Sequence, residues 1–536
     1  EPPEFHIFGF EMDEGKILMV VFTACIILLT TVRIAYEKTK MKLYIPESAL
    51  LIAIGLVIGG ILVLFDTEWS RKIQGYLTFP PELIMYVFLP IIIFEAAYYL
   101  NRTAFVNNFL EIFSFATLGT VISTLLIGFP LFWLSTATIT QLTFSESMTY
   151  ASLVSAIDPV AVIAVMESMH VNDDLFYVCF GESTMNDGPA IVLFNLFMSL
   201  ESLKDIDSVE IFGLAVAKFL VAILGAVFMS IFLSLCTCFI SKFSYKIPST
   251  ESLLFLLTAM CIYVLADLCM FSGVIAVMVS AFMLQRYGEQ NLQQESIISF
   301  KQLCKLLSSL CECVLFLDMG FQIAFISKNE KKVDWVFIVC VIIFCVVSRF
   351  IAVFAQIGVL NVRRGRIGKK FSWKEQLIFV WGGLRGGVSF ALAKNQYLDK
   401  RKSNQVVFST CMVILETIFV NGLSMRPVIK KLQIKLEPSL NNRISTKMMT
   451  KPIANLTQFA KVVCGHTSKL GQFMSWFDLA LQKIFSNKEI VDRDLEENIQ
   501  QVHELVIQTL LKQKRDQETF KKHNLKKKYM LMNPLE

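Results

Sequence analysis

Charged side chains are scarce in this sequence, at 18% of 536 residues, where ordinary globular chains carry about 25%. With 54% hydrophobic residues and a mean hydropathy of +0.57, that scarcity excludes a soluble enzyme. The 46 Phe exclude a disordered scaffold, and the composition is not that of a collagen-like chain. No two of the 13 Cys stand in a CxxC pair; the nearest spacings are Cys236/Cys238 and Cys311/Cys313. Twelve of them fall in or beside apolar runs and read as small buried hydrophobes, with no disulfide framework and no zinc site. P-loop, HExxH and paired Cys/His patterns are missing, so soluble catalysis has no support. The start, EPPEFHIFGFEMDEG, is acidic and does not read as a signal peptide.

What the sequence has is long apolar runs. An α-helix needs about 20 apolar residues to cross a bilayer core of about 30 Å. Such runs fall near 16–35, 46–65, 80–100, 109–134, 147–166, 175–200, 211–240, 251–270, 272–286, 303–326, 335–360, 376–396 and 405–423. They read as thirteen spans of an all-α polytopic membrane protein, with the eighth and ninth divided around Ser272-Gly273. An odd number of spans puts the termini on opposite sides. The loop 361–375 carries six Lys/Arg, and the loop after the first run carries Arg33, Lys38, Lys40 and Lys42. From Ser424 onward there are 20 Lys/Arg against 11 Asp/Glu, a net +9 in a chain whose total is +5. These basic segments share one side, so the N-terminus is expected outside and the tail in the cytosol. Lys394, Lys400, Arg401 and Lys402 then face outward. The sequons at Asn101 and Asn455 fall on the cytosolic side and are expected to stay unmodified.

The organisation expected is a short outer segment at 1–15, a membrane domain at 16–423 and a cytosolic tail at 424–536. Helical spacing in the tail marks amphipathic stretches at 453–464, 469–486 and 495–511. These suit a membrane surface, a partner groove or packing on one another. The basic tail also suits anionic lipid, phosphoinositides included. His170 reads as an ordinary loop histidine.

Charges inside spans are the informative residues. Each is disfavoured by about 2.5–3.5 kcal/mol on insertion scales and marks function by default. Glu95, Asp158, Glu182, Asp187, Asp267, Glu312, Arg349 and Arg385 lie well inside apolar runs, with Lys218, Asp318 and Glu416 nearer the ends. In SLVSAIDPVAVIAV, Pro159 lacks an N–H and biases Asp158 away from α geometry, so the fifth helix should break at Ile157–Pro159. Broken helices at membrane depth line cavities, and their free carbonyls are ready ion ligands. In FGESTMNDGPAIVLF, Ser183, Asn186 and Asp187 share a helical face. Oxygen ligands suit hard cations. A pair such as Asp158 and Asp187 can hold one metal ion or exchange it for protons, because burial favours the protonated form of any carboxyl. In FVWGGLRGGVSFALA, four Gly around Arg385 permit close crossing or unwinding. Arg349 and Arg385 need acidic partners. Glu182 and Glu312 are the nearest by type, which leaves Asp158 and Asp187 for the ion.

The segments SAIDPVAVIAVMESMHVND, FGESTMNDGPAIVLFNLF, WGGLRGGVSFALA and FVNGLSMRPVI resemble the cation/proton antiporter family, in particular its electroneutral sodium/proton exchangers. FHIFGFEMDE, IPESALLIAIGLVIGG and LPIIIFEAAYYL are similar to the animal plasma-membrane exchangers, though Glu95 stands where those carry Asp. The resemblance runs over roughly 1–430. It implies thirteen helices in two inverted six-helix repeats, with broken helices 5 and 12 crossing near the midplane. It also implies a homodimer and elevator-like alternating access. It makes Asp187 the ion-binding acid, with Asp158, Asn186, Ser183 and a main-chain oxygen near Ile157 beside it. Asn-Asp in the sixth helix implies one sodium for one proton. Glu182 and Arg349 form a structural ion pair, and Arg385, Glu312 and Glu95 match positions that affect activity or pH response. A calcineurin-B-like EF-hand protein on 444–486 is implied, though Pro452 and Gly465-His466 interrupt a single long helix there. No cofactor and no nucleic acid are implied. Potassium or lithium in place of sodium, a channel or uniporter, and a non-transporting scaffold or sensor are the alternatives.

Overall fold

The computed structural model describes residues 6–7, 10–11, 14–39, 46–65, 67–100, 102–136, 138–158, 165–166, 173–200, 208–243, 248–329, 333–364, 371–395 and 400–432. Pro159, His170, the sequons at Asn101 and Asn455, the tail stretches at 453–464, 469–486 and 495–511, and the partner stretch 444–486 lie outside the described residues. Apart from a two-residue antiparallel ladder, His6–Ile7 with Phe10–Glu11, the described fold is helical.

Among the described residues, seven helices are long and apolar enough to cross a membrane: Glu47–Phe65, Pro81–Tyr99, Phe109–Ser135, Val216–Ser241, Glu295–Lys328, Trp335–Val362 and Arg401–Leu432. Thr23–Tyr36 and Leu253–Leu268 are shorter apolar helices. The other runs read from the sequence fall on helices that are short, broken or diluted by polar residues. Gly273–Met283 is short, Phe144–Ser155 and Trp373–Trp381 stop mid-run, and Asp173–Leu200 carries Glu182, Asn186 and Asp187. The division before Gly273 is a cap. Met270 takes φ 60°, and the Ser272 hydroxyl accepts from the Ile275 N–H at 3.4 Å.

Two compact units divide the chain. One comprises Glu1–Thr237, Ser249–Gln285 and Ser296–Glu437, and the other Cys238–Pro248, Arg286–Glu295 and Pro438–Glu536. In the second unit, buried Asn291 donates to the Cys238 carbonyl at 3.0 Å and the Ser241 hydroxyl at 2.9 Å. That closes the end of helix Ser208–Ser241.

In the first unit, helix Phe109–Ser135 packs between Phe144–Ser155 and Trp335–Arg364, and Asp173–Leu200 lies against Phe144–Ser155. Lipid supplies no hydrophobic drive between helices, so close contact must come from small residues. At the crossing of Glu47–Phe65 and Gln294–Asn329, a Cβ on Gly55 would overlap the Leu317 carbonyl, and one on Gly320 would overlap the Ile52 carbonyl. Phe144–Ser155 is buried continuously from Ser147 to Ser155. It starts at a capping box, Thr143-x-x-Glu146, whose reciprocal bonds measure 3.2 and 2.8 Å. Trp373–Trp381 starts the same way, at Ser372-x-x-Glu375.

Lys394 is held inside the helical packing by an ion pair. It ends helix Gly387–Lys394, is nearly buried, and pairs at 2.8 Å with fully buried Asp318 of helix Gln294–Asn329. Its ammonium also donates to the Phe79 carbonyl at 2.6 Å. A cation at a helix C-terminus is favourable, and burial demands a partner. Lys402 instead pairs with Glu146 at 3.0 Å. Asp318→Ala, which strands the Lys394 charge, is expected to lower stability by about 3–5 kcal/mol. Asp318→Leu combined with Lys394→Met should recover most of it. Thermal unfolding of the purified protein in detergent checks this, and equal losses in the single and double variants would contradict it.

Candidate functional site

Two helices break, and the breaks meet. Phe144–Ser155 leaves α geometry at Ala156 (φ −62°, ψ 137°), and 156–158 is non-helical. The break thus starts one residue before the Ile157 read from the sequence. Trp373–Trp381 ends at Gly382, and the chain runs irregularly to Gly386 before helix Gly387–Lys394 begins. The Asp158 N–H donates to the Leu384 carbonyl at 2.8 Å, joining the two breaks backbone to backbone. Glycine is required at two points of this contact. A Cβ on Gly386 would overlap the Asp158 side chain, and one on Gly383 would sit 2.8 Å from Nε of Arg349.

A helix that stops inside the membrane leaves its last carbonyls without donors. Buried arginines supply them at both breaks. Arg385 donates from Nη1 to the carbonyls of Ser155 at 2.6 Å and Ala156 at 3.2 Å, the C-terminal end of the first broken helix. Its own N–H donates to the Thr417 hydroxyl at 3.2 Å. That hydroxyl belongs to a π turn, Thr417–Gly422. Arg349 donates from Nη2 to the Phe379 carbonyl at 2.8 Å, in the last turn of Trp373–Trp381. The same guanidinium forks onto Glu182, at 2.5 and 3.1 Å, with both side chains buried. The acidic partner expected for Arg385 is therefore corrected. Glu312 lies on a cavity wall, and Arg385 bonds to carbonyls that the helix break sets free.

A cavity of about 650 Å³ adjoins the crossing. Helix Asp173–Leu200 contributes Phe176, Tyr177, Phe180, Ser183, Thr184 and Asp187, a stripe at helical spacing. Ile157 and Asp158 come from the first break, and Gly386, Gly387, Val388 and Ser389 from the second. Glu95, Lys305, Ser308, Ser309 and Glu312 line it as well. Arg33 and Glu47, paired at 3.6 Å and about one-third exposed, complete it at a more open end. The Arg33 guanidinium also bonds Ser309. Asp158, Asp187, Ser183, Ile157, Glu95 and Glu312 thus share one cavity.

Asn186 is not on its lining. It is 1% exposed, and neither its amide nitrogen nor its oxygen has a hydrogen-bond partner among the described residues. One position before Asp187, it falls just off the stripe. Glu182 points away from the cavity to Arg349. Thr184, Lys305, Ser308 and Ser389 were not singled out from sequence. Thr184 was recoverable, being one and three residues from Ser183 and Asp187 on the stripe. The contacts of Lys305 and Ser308 depend on packing between distant helices. Chemically, the cavity gathers carboxylates from five elements, with hydroxyls between them and two cations, Arg33 and Lys305. It can concentrate and bind a small cation or protons.

The family model described as "Sodium/hydrogen exchanger, transmembrane" matches residues 23–431. Sodium/hydrogen exchanger 2 of Oryctolagus cuniculus is 31% identical over 433 residues, covering 80% of this chain and 52% of the relative. Sodium/hydrogen exchanger 4 of Homo sapiens is 30% identical over 503 residues, covering 91% and 61%. The chain thus spans about half the length of the curated relatives it matches. Among solved structures, the sodium proton antiporter MjNhaP1 from Methanocaldococcus jannaschii superposes with a TM-score of 0.62 at 19% identity. That match covers 78% of this chain and 99% of the other. The family match and the apolar helices make the chain an integral membrane protein.

Arg349→Ala leaves Glu182 charged and buried and the Phe379 carbonyl without its donor. The expected loss of stability is about 3–5 kcal/mol, seen as poor yield or a lowered unfolding temperature. A well-folded Arg349→Ala protein altered only in its cation dependence would contradict this structural role.

Proposed function

The chain belongs to the sodium/hydrogen exchanger family, and on that premise we propose that it is a secondary antiporter exchanging sodium for protons. The observation that carries this reading is the shared cavity of Asp158 and Asp187 at the crossing of two broken helices. When both carboxyls are ionised, their oxygens, with the Ser183 hydroxyl and a main-chain oxygen near Ile157, hold one sodium ion. When protons bind, the cation site loses its charge and sodium leaves. One site that takes either cargo needs no further coupling device. Proton and cation exclude each other there, and each crosses in its own half-cycle. It transports ions and does not catalyse a covalent reaction.

Asn186 beside Asp187, in place of a second acid, supports one-for-one, electroneutral exchange. Glu95 and Glu312, on the lining of the same cavity, raise the local cation concentration and tune the pH response. Alternating access is elevator-like, in a homodimer of thirteen-helix protomers built from two inverted repeats. The basic loops support an N-terminus outside and a tail in the cytosol. In that orientation the Arg33 and Glu47 end of the cavity faces the cytosol. Plasma-membrane residence, phosphoinositide contact at the tail and an EF-hand partner on 444–486 belong to the same reading.

Asp187→Asn should abolish sodium-driven proton flux in reconstituted vesicles while the protein elutes and unfolds as the parent does. Asp158→Asn should do the same. Parent-level flux in the Asp187→Asn protein would overturn the site.

A further inference from the structure

Ser389 is the one cavity-lining side chain whose polar atom is buried without a hydrogen-bond partner among the described residues. It is 1% exposed. It stands in the first turn of helix Gly387–Lys394, directly after the irregular segment that crosses the first break. Helical hydroxyls in this protein normally donate to a carbonyl three or four residues back. Ser152 bonds Thr149, Ser155 bonds Ser152, and Thr120 bonds Ala116. Ser389 does not, because the residues three and four before it are Gly386 and Arg385, which precede the helix. Its hydroxyl is thereby left without a partner on a residue that lines the cavity. A buried hydroxyl with nothing to bond is unfavourable in an apolar medium, and its retention on this wall points to a cargo that completes it.

The surroundings decide which cargo. Gly386, the N-cap of the same helix, packs against the Asp158 side chain. The carboxylate offsets the positive end of the short helix, so the space beside Ser389 favours a cation. Asp187, Ser183 and Thr184 face the same space from helix Asp173–Leu200. A hydroxyl oxygen is a hard neutral ligand that suits a small alkali cation and adds no titratable group.

We infer that the Ser389 hydroxyl is a further ligand of the transported sodium ion, supplied by the second broken helix. This rests on the antiport reading above. It means that sodium ties together both broken helices and helix Asp173–Leu200. A proton on Asp158 or Asp187 makes no such tie. Ser389 therefore governs cation affinity and not the proton side of the exchange.

The test is sodium-dependent proton flux of the full chain in vesicles, titrated with sodium chloride. Ser389→Ala should raise the apparent sodium constant about 3- to 10-fold. Ser389→Cys, close in volume but with a soft sulfur, should raise it similarly, and Ser389→Thr should restore it. An unchanged constant in both Ser389→Ala and Ser389→Cys overturns the proposal. So does a fall in maximal rate with the constant unchanged, which marks a packing role. Absence of sodium-driven flux in the parent protein would instead remove the antiport reading itself. If Ser389→Ala fails to fold, the Cys and Thr pair decides alone.

Discussion

The carbonyls set free where two helices stop inside the membrane need hydrogen-bond donors, and two buried guanidiniums supply them. Arg385 takes the end of Phe144–Ser155, and Arg349 takes the end of Trp373–Trp381. A buried carbonyl left without a donor is strongly disfavoured. With donors in place, the chain can run irregularly through 156–158 and 382–386, and the Asp158 N–H can meet the Leu384 carbonyl. The cavity exists because the breaks are held open in this way. Each guanidinium is also a charge placed at a negative helix end, so electrostatics and hydrogen bonding act together.

The two arginines differ in what neutralises them. Arg349 is forked by Glu182, which removes that carboxylate from any role at the cavity. Arg385 bonds to carbonyls only through its guanidinium, and the carboxylates of Asp158, Asp187, Glu95 and Glu312 line the cavity instead. The excess of acids over cations on that wall suits a site that must attract a cation and give it up to protons. Asp318 and Lys394 repeat the first solution, a buried acid paired at once by a base. The buried acids Glu182 and Asp318 are thus each met by a base, and buried Asp334 by the N–H and hydroxyl of Thr140 and the Phe337 N–H, whereas Glu95, Asp158, Asp187 and Glu312 line the cavity.

Much of this was legible in the residues. Proline after Asp158 marked the first break, and four glycines around Arg385 marked a close crossing or an unwinding, because each residue type acts on its own backbone. The stripe of Ser183 and Asp187 followed from helical spacing, as did the long apolar runs. The capping boxes at Thr143 and Ser372 were also open to reading, since the S/T-x-x-E spacing is local. Partners distant in sequence were not. A carbonyl has no sequence signature, so nothing in the chain marked Ser155 and Ala156 as the partners of Arg385. The Lys394 and Asp318 pair joins residues that only packing brings together. Asn186 is about 100° round the helix from Asp187, at the edge of the face that the i, i+3, i+4 spacing marks, and it falls off the cavity lining.

The central claim is that one sodium and one proton compete for the crossing of the two broken helices. The most direct measurement is proton flux in sealed vesicles driven by a sodium gradient, with the membrane potential first clamped at zero and then stepped. Flux that depends on sodium and ignores the step is the predicted result. Flux that follows the potential would contradict one-for-one exchange at Asp158 and Asp187.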